Sequence, residues 1–171
     1  LLPGIQREVL EIIYSYNKPV VLLVLSGSCL ALDADHKHAN AIMQCWYPGA
    51  QGGKAVAELL FGAYSPEGKL PVTFYSEAYE IPDFEDYSMT NRTYRFVEDG
   101  VLYPFGFGLT YGDVQIGNLE TTWESETLKV HVNVKNASNI PINETLQIYI
   151  QAPEYGPLHP QLKAFKKVNL N

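Results

Sequence analysis

The sequence predicts a layered, mostly parallel α/β sheet followed by a partial antiparallel β-sandwich. Three observations predict it. Apolar, β-branched runs alternate with helical periods over residues 1–75, an aromatic stretch without a period fills 76–112, and strict two-residue alternation takes over across 113–171. The chain has 171 residues, 46% of them hydrophobic, and this is enough apolar material for a packed core and too much for a disordered chain.

The first element is a helix. Ile5, Val9, Ile12, Ile13 and Tyr16 recur at helical spacing, opened by Pro3-Gly4 and closed at Asn17. Pro19 to Leu25 is a continuous apolar run ended by Ser26-Gly27-Ser28, the pattern of a parallel strand buried on both faces. Ala41 to Tyr47 predicts a second strand that runs into Pro48-Gly49. The next helix puts Val56, Leu59 and Leu60 on one face and stops at Gly62. Leu70, Val72 and Phe74 then alternate as a third strand, which Pro71 confines to an edge position or a strand start.

Residues 76–112 open acidic, with Glu77, Glu80, Asp83, Glu85 and Asp86, and become rich in Tyr, Phe and Gly. A stretch this long without a period is expected to be a functional loop or a linker, and its rings favour one wrapped over another surface. Beyond residue 113, Leu128, Val130, Val132 and Val134 share one strand face. Leu146, Ile148 and Ile150 likewise alternate with polar neighbours, and Asn136 to Asn143 forms the connection. Three or four strands fit here, where a sandwich needs about seven. The sandwich is therefore expected to be incomplete and the chain to be a fragment of something longer, an expectation that the missing initiator methionine shares.

Composition excludes several functions. A net charge of −7 and scattered Lys and Arg speak against a nucleic-acid partner, and Lys163, Lys166 and Lys167 read as a solvated strand edge. No apolar run reaches the roughly 20 residues of a membrane span. Cys29 and Cys45 are too few for a disulfide framework; they read as free thiols and point to a reducing bacterial cytoplasm as the compartment.

Asp33-Ala-Asp35 with His36 and His38 has the makings of an acid/base or metal cluster, but its place before the second strand predicts carboxylates capping a helix N-terminus. Gly49-x-x-Gly52-Gly53-Lys54 departs from a phosphate loop, because no Ser or Thr follows Lys54. No cofactor or metal site is expected. Asn91-Arg-Thr93, Asn136-Ala-Ser138 and Asn143-Glu-Thr145 match the glycosylation sequon.

Specific motifs narrow the reading. Trp46-Tyr-Pro-Gly-Ala-Gln-Gly-Gly53, Lys54 to Gly62 and Tyr64-Ser-Pro-Glu-Gly-Lys-Leu-Pro-Val-Thr-Phe-Tyr75 together resemble the second half of the α/β-sandwich domain of glycoside hydrolase family 3. Tyr94-Arg-Phe96 and Leu102-Tyr-Pro-Phe-Gly-Phe-Gly-Leu-Thr-Tyr111 resemble the segment that leaves that domain. Leu162-Lys-Ala-Phe-Lys-Lys-Val168 is similar to a strand of the family's fibronectin type III-like domain. The resemblance implies three parts: residues 1–75 as the C-terminal half of an α/β-sandwich domain, 76–112 as an aromatic wrapping linker, and 113–171 as an incomplete fibronectin type III-like domain.

It also implies retaining hydrolysis of terminal, non-reducing β-D-glucosyl or β-D-xylosyl residues, chemistry that needs two carboxyl groups about 5 Å apart. In this family the nucleophile is an Asp of a barrel domain, and the acid/base Glu precedes the helix that here begins at Leu2-Pro-Gly4. No catalytic residue is therefore assigned within this chain, Asp33, Asp35, Glu85 and Asp86 included, and the fragment is expected to be inactive by itself. The partners implied are a β-linked glucoside or xyloside, met through the parent enzyme, and the barrel domain of the same chain. Asp83 to Arg95 leans to the xylosidase-like branch.

For substrate contact the candidates are Trp46 and Tyr47, at the carboxyl end of the second strand where open α/β sheets place ligands, with Arg92, Tyr94 and Arg95 in the wrapping segment. Core packing competes for the first two, and attachment to the barrel domain for the other three. The alternative function is a non-catalytic module that binds carbohydrate or protein.

Overall fold

The computed structural model describes residues 2–152 and 156–171. Its elements are short helices and two-stranded sheets, of which one is parallel and three are antiparallel. Helix α1 (Gln6–Ser15) is followed by β1 (Val21–Val24), α2 (Asp33–His38), β2 (Ala41–Gln44) and α3 (Gly52–Leu60). Strand β3 (Phe74–Tyr75), helix α4 (Thr93–Phe96) and β4 (Val101–Tyr103) come next. The chain ends in four longer strands: β5 (Val114–Glu124), β6 (Thr127–Asn136), β7 (Ile142–Ile150) and β8 (Gln161–Leu170).

β1 and β2 pair in parallel, Val21 opposite Ala41 and Val24 opposite Gln44. The run expected as a third strand behaves otherwise. β3 pairs antiparallel with β4, Phe74 opposite Tyr103, so among the described residues parallel pairing is confined to β1 and β2. The pairing extends past both short strands: Leu70 N–H donates to Phe107 O at 2.8 Å, Gly106 N–H to Leu70 O at 2.7 Å, and Ser76 N–H to Gly100 O at 2.8 Å. The physical reason is that the aromatic segment returns alongside 70–76 and saturates its backbone groups, which a buried strand requires. Residues 76–112 are accordingly not free of regular structure, since they supply both α4 and β4.

The core lies where these pieces meet. Val24, Leu32 and Phe74 are buried together, and Leu22, Ile42, Trp46, Leu70 and Tyr103 pack partly buried around them. Phe74 is the central ring, edge-on to Trp46 and to Tyr103 with centroids 6.3 Å away in each case. Tyr103 in turn stacks on Phe107 at 5.3 Å.

The apolar stripe of α1 does not join this core, because Ile5, Val9, Ile12, Ile13 and Tyr16 are exposed. What ties α1 down is ionic. Arg7 grips the carboxylate of Asp35 with two N–H···O bonds of 3.0 and 2.9 Å, and the Tyr14 hydroxyl donates to the same carboxylate at 2.8 Å. Asp35 is fully buried. This corrects the capping role expected of Asp33 and Asp35. Both lie in the first turn of α2, yet neither side chain caps it. Asp33 instead accepts the Glu77 N–H at 2.8 Å, and Asp35 serves α1. A carboxylate that binds a guanidinium bidentately gains more than one that accepts a single backbone amide.

The last four strands form two hairpins, β5–β6 and β7–β8. Leu128, Val130, Val132 and Val134 share the half-buried face of β6, as their alternation predicts. A bulge between Gly117 and Glu120 interrupts β5, with Asn118 at a φ of 51°. β7 is covered more fully than β6, and Ile142 and Glu144 are buried.

Candidate functional site

The side chains singled out by the sequence fall in three places: the carboxyl edge of β1 and β2, the loop before α4, and α4 itself beside a cleft against the β7–β8 hairpin.

At the edge, Trp46 and Tyr47 part company. Trp46 is half-buried against Phe74. Its φ of 52° lies in the left-handed region, a rare state for a bulky residue. Tyr47 is 81% exposed. Its ring lies against Gly27, where a Cβ would meet the ring tip, so a larger residue there would push the Tyr47 side chain aside. Gln44 donates to Ser26 O at 2.9 Å and ties the ends of the two strands together, while its Oε1 is buried without a partner among the described residues. Cys29 and Cys45 are free thiols beside this edge, and burial pushes the Cys45 thiol up.

Arg92 closes its own loop. Its guanidinium donates to Pro82 O at 3.1 Å and to Asp83 O, and its Nε is buried with no partner among the described residues. The turn around it is strained: Met89, Asn91 and Thr93 have φ of 62°, 54° and 57°, and for a β-branched residue such as Thr93 this is a true outlier. Two stacked tyrosines hold the turn in place. Tyr75 and Tyr79 lie 4.3 Å apart; the Thr93 N–H donates to Tyr75 Oη at 3.0 Å, and Tyr79 O–H donates to Asn91 O. Burial raises both phenols. The loop so fastened displays Phe84 and Tyr87, both almost fully exposed.

Tyr94 lies apart from that edge. It stacks on Phe105 at 4.2 Å and accepts the Leu162 N–H at 3.2 Å, which binds the wrapping segment to β8. Arg95 is exposed at the end of α4, and its backbone carbonyl accepts the His159 N–H at 3.2 Å. The structure thus groups Trp46 with Tyr47 at the β1–β2 edge and places Tyr94 in the cleft, with Arg92 in the loop between.

The cleft has a volume of about 540 Å³, and Tyr94, Phe105 and Tyr149 supply ring surface to it. Thr73, Glu98 and His159 also line it. Sequence reasoning singled out none of these three, and no local signal marks them, because they lie on three separate segments. A neighbouring cleft of about 490 Å³ contains Lys69 and Glu144. These form an ion pair of 2.8 Å, with Lys69 also donating to Gly108 O at 2.7 Å. Glu67 adds a second link by pairing with Lys167 at 2.8 Å, and its carbonyl accepts the Thr145 hydroxyl at 2.9 Å. Among the described residues each cleft is lined by one carboxylate, Glu98 or Glu144, where retaining glycoside hydrolysis uses a pair. Among the described residues no group of three or more His, Cys, Asp or Glu side chains is placed to hold a metal ion, and no helix is long and apolar enough to cross a membrane.

Residues 1–111 match the family model described as "Glycosyl hydrolase family 3 C-terminal domain", and the chain belongs to that family. It is 42% identical over 99% of its length to "Xylan 1,4-beta-xylosidase" of Xylanibacter ruminicola, and 32% identical over 99% to "Periplasmic beta-glucosidase" of Salmonella typhimurium. It spans 20% and 24% of those two proteins. The crystal structure of a beta-glucosidase from Kluyveromyces marxianus superposes with a TM-score of 0.86 at 26% identity, covering 99% of this chain and 22% of that one.

Proposed function

We propose that the chain is the supporting C-terminal part of a retaining β-glycosidase that releases terminal, non-reducing β-D-xylosyl or β-D-glucosyl residues. The observation that carries this reading is the 42% identity to a xylan 1,4-β-xylosidase across 99% of the chain, and it puts xylosyl ahead of glucosyl. Residues 1–75 form the C-terminal half of an α/β-sandwich domain, 76–112 the wrapping linker and 113–171 part of a fibronectin type III-like domain. The family match ending at residue 111 supports the second boundary.

In this reading the catalytic nucleophile and acid/base lie on other segments of the parent enzyme. The exposed rings of Tyr47, Phe84 and Tyr87 face those segments or the substrate they hold. Arg92, with its unpartnered Nε, shapes the loop that carries Phe84 and Tyr87. Tyr94 and Arg95 fasten the linker to the β7–β8 hairpin and take part in substrate binding only through that positioning.

The test has two arms. The 171-residue chain should leave aryl β-xylosides and β-glucosides intact, and the parent enzyme should hydrolyse them with the xyloside preferred and anomeric configuration retained. Hydrolysis by the chain alone that disappears on changing one of its own carboxylates would overturn the assignment of catalysis elsewhere. A second reading, a carbohydrate- or protein-binding module, is favoured by the cleft at Tyr94 and Phe105 and predicts sugar binding without turnover.

A further inference from the structure

Helix α1 carries an apolar stripe that nothing in the described chain covers. Ile5, Val9, Ile12, Ile13 and Tyr16 recur at helical spacing, and all five are exposed. Such a stripe normally faces a packed layer, yet here the helix is fastened from its flank, by Arg7 and Tyr14 on Asp35. Strand β1 is also incompletely covered. It is hydrogen-bonded to β2 along one edge and to no other strand among the described residues. Leu22 and Val24 pack into the core, while Val21 and Leu25 are exposed. Parallel sheets bury both faces of their strands, so β1 has the composition of an interior strand in an edge position.

The path of the chain says what belongs beside them. Parallel strands are joined by a crossover, usually a helix that returns over the sheet. β1, α2 and β2 form one such unit, and α1 stands before β1 as α2 stands before β2. Leu2, just ahead of α1, packs against the cluster of Val24, Leu32 and Phe74, and Val24 is the last residue of β1. α1 therefore begins beside the carboxyl end of β1, and after it the chain enters that strand at its amino end, Val21. This is the course of a crossover helix, and it starts where a strand parallel to β1 would finish.

α2 fixes the side on which that strand lies. Besides the hydrogen bonds to Asp35, Tyr14 stacks on His38 with centroids 5.5 Å apart, so α1 and α2 lie side by side on one face of the sheet. Helices on opposite faces would be kept apart by the sheet itself. Crossovers are right-handed, so consecutive helices on one face require successive strands to step in one direction. β2 lies on one side of β1, and the strand before α1 therefore lies on the other, along the free edge. A second copy of this chain fits less well. A two-fold dimer pairs identical sheet edges antiparallel, whereas the course of α1 calls for a parallel neighbour.

We infer that α1 and β1 are the second half of a βαβ unit whose first strand is a segment of the parent chain upstream of Leu2, parallel to β1 on its free side, and that the α1 stripe packs over that segment. This rests on the reading that the chain, which spans 20% of its xylan 1,4-β-xylosidase relative, is part of a longer enzyme. The occupant of the surface is accordingly an apolar strand of the same polypeptide.

Hydrogen exchange and thermal melting, on the 171-residue chain and on the parent enzyme, provide the test. In the parent, amides of residues 6–15 and 21–24 should exchange at least about 100-fold more slowly than in the chain alone. Ile12→Asp should leave the melting temperature of the chain alone within about 1 °C, because that side chain is exposed, and lower that of the parent by about 5 °C or more. Ile12→Leu should change neither.

Fast exchange in α1 of the parent, or a parent that tolerates Ile12→Asp, overturns the inference, and both are read on the parent whether or not the chain folds alone. So does equal destabilisation of chain and parent, which would make the stripe part of the chain's own core. A concentration-dependent dimer of the chain that Ile12→Asp abolishes, with no protection of α1 in the parent, would assign the surface to a second copy instead. A parent enzyme with α1 protected but without hydrolytic activity would sink the glycosidase reading and leave this one standing.

Discussion

Replacing Asp35 by Asn tests how α1 is held. The carboxylate is fully buried and accepts three hydrogen bonds, two from Arg7 at 3.0 and 2.9 Å and one from Tyr14 at 2.8 Å. Asn keeps the volume but offers one oxygen, so one guanidinium bond is lost and the other two lose their charge assistance. Taking about 1.5 kcal/mol for the lost bond and about half as much for each weakened one gives about 3 kcal/mol. This is the low end of the 3–5 kcal/mol expected on breaking a buried pair, in keeping with Arg7 remaining 26% exposed. For a chain of this length it corresponds to a fall in melting temperature of roughly 6–12 °C.

Urea denaturation followed by circular dichroism measures the loss, and a cycle with Arg7→Met isolates the pair. Because the apolar stripe of α1 finds no cover in the described chain, amide exchange in residues 6–15 should accelerate in Asp35→Asn more than anywhere else. A loss below about 1 kcal/mol, or unchanged exchange in α1, would refute the reasoning, since α1 would then be held by something other than this carboxylate.

Other outcomes follow from the same structure. The Tyr14 phenol is pushed up to about 12, first by burial and then by its hydrogen bond to Asp35. A phenol whose folded value exceeds its unfolded value stabilises the fold fully below about pH 10, and that contribution is lost as pH rises through 10 to 12. Stability measured across that window should fall in the wild type and stay flatter in Tyr14→Phe. Lys69→Met leaves the buried Glu144 carboxylate unpaired and should cost about 3 kcal/mol by denaturant titration; pairing it with Glu144→Leu should restore most of that. Arg92→Ala releases Pro82 O and Asp83 O, so limited proteolysis should cut residues 82–92 several times faster with little change in global stability.

Much of the fold was legible wherever a single element makes its own pattern. The apolar run at 19–25 predicted β1 but not its covering, since Val21 and Leu25 are exposed where burial on both faces was expected, and the alternation of Leu128, Val130, Val132 and Val134 predicted a strand with one covered face. Gly62, at a φ of 75°, follows α3 as its sequence position requires. The pairing of β3 was not legible, because the strand's partner lies in a stretch whose composition hides a three-residue strand among glycines and rings. Asp35 was misread for a similar reason: its local context says helix start, while its partner Arg7 is 28 residues away. Of the residues proposed for substrate contact, Trp46 and Tyr47 look alike in sequence, yet one packs on Phe74 and the other is 81% exposed.

The sequence by itself determined the family, through ordered motifs from Trp46 to Val168, and most of the element types, through periodicity. Both are properties of contiguous residues, which a chain displays before it folds. Only the tertiary structure decided that the aromatic segment pairs with residues 70–76, that Asp35 holds α1, and that Thr73, Glu98 and His159 line one cleft. These depend on which distant groups satisfy one another once water is excluded, and a buried hydroxyl or carboxylate takes whatever partner the packed chain brings within reach.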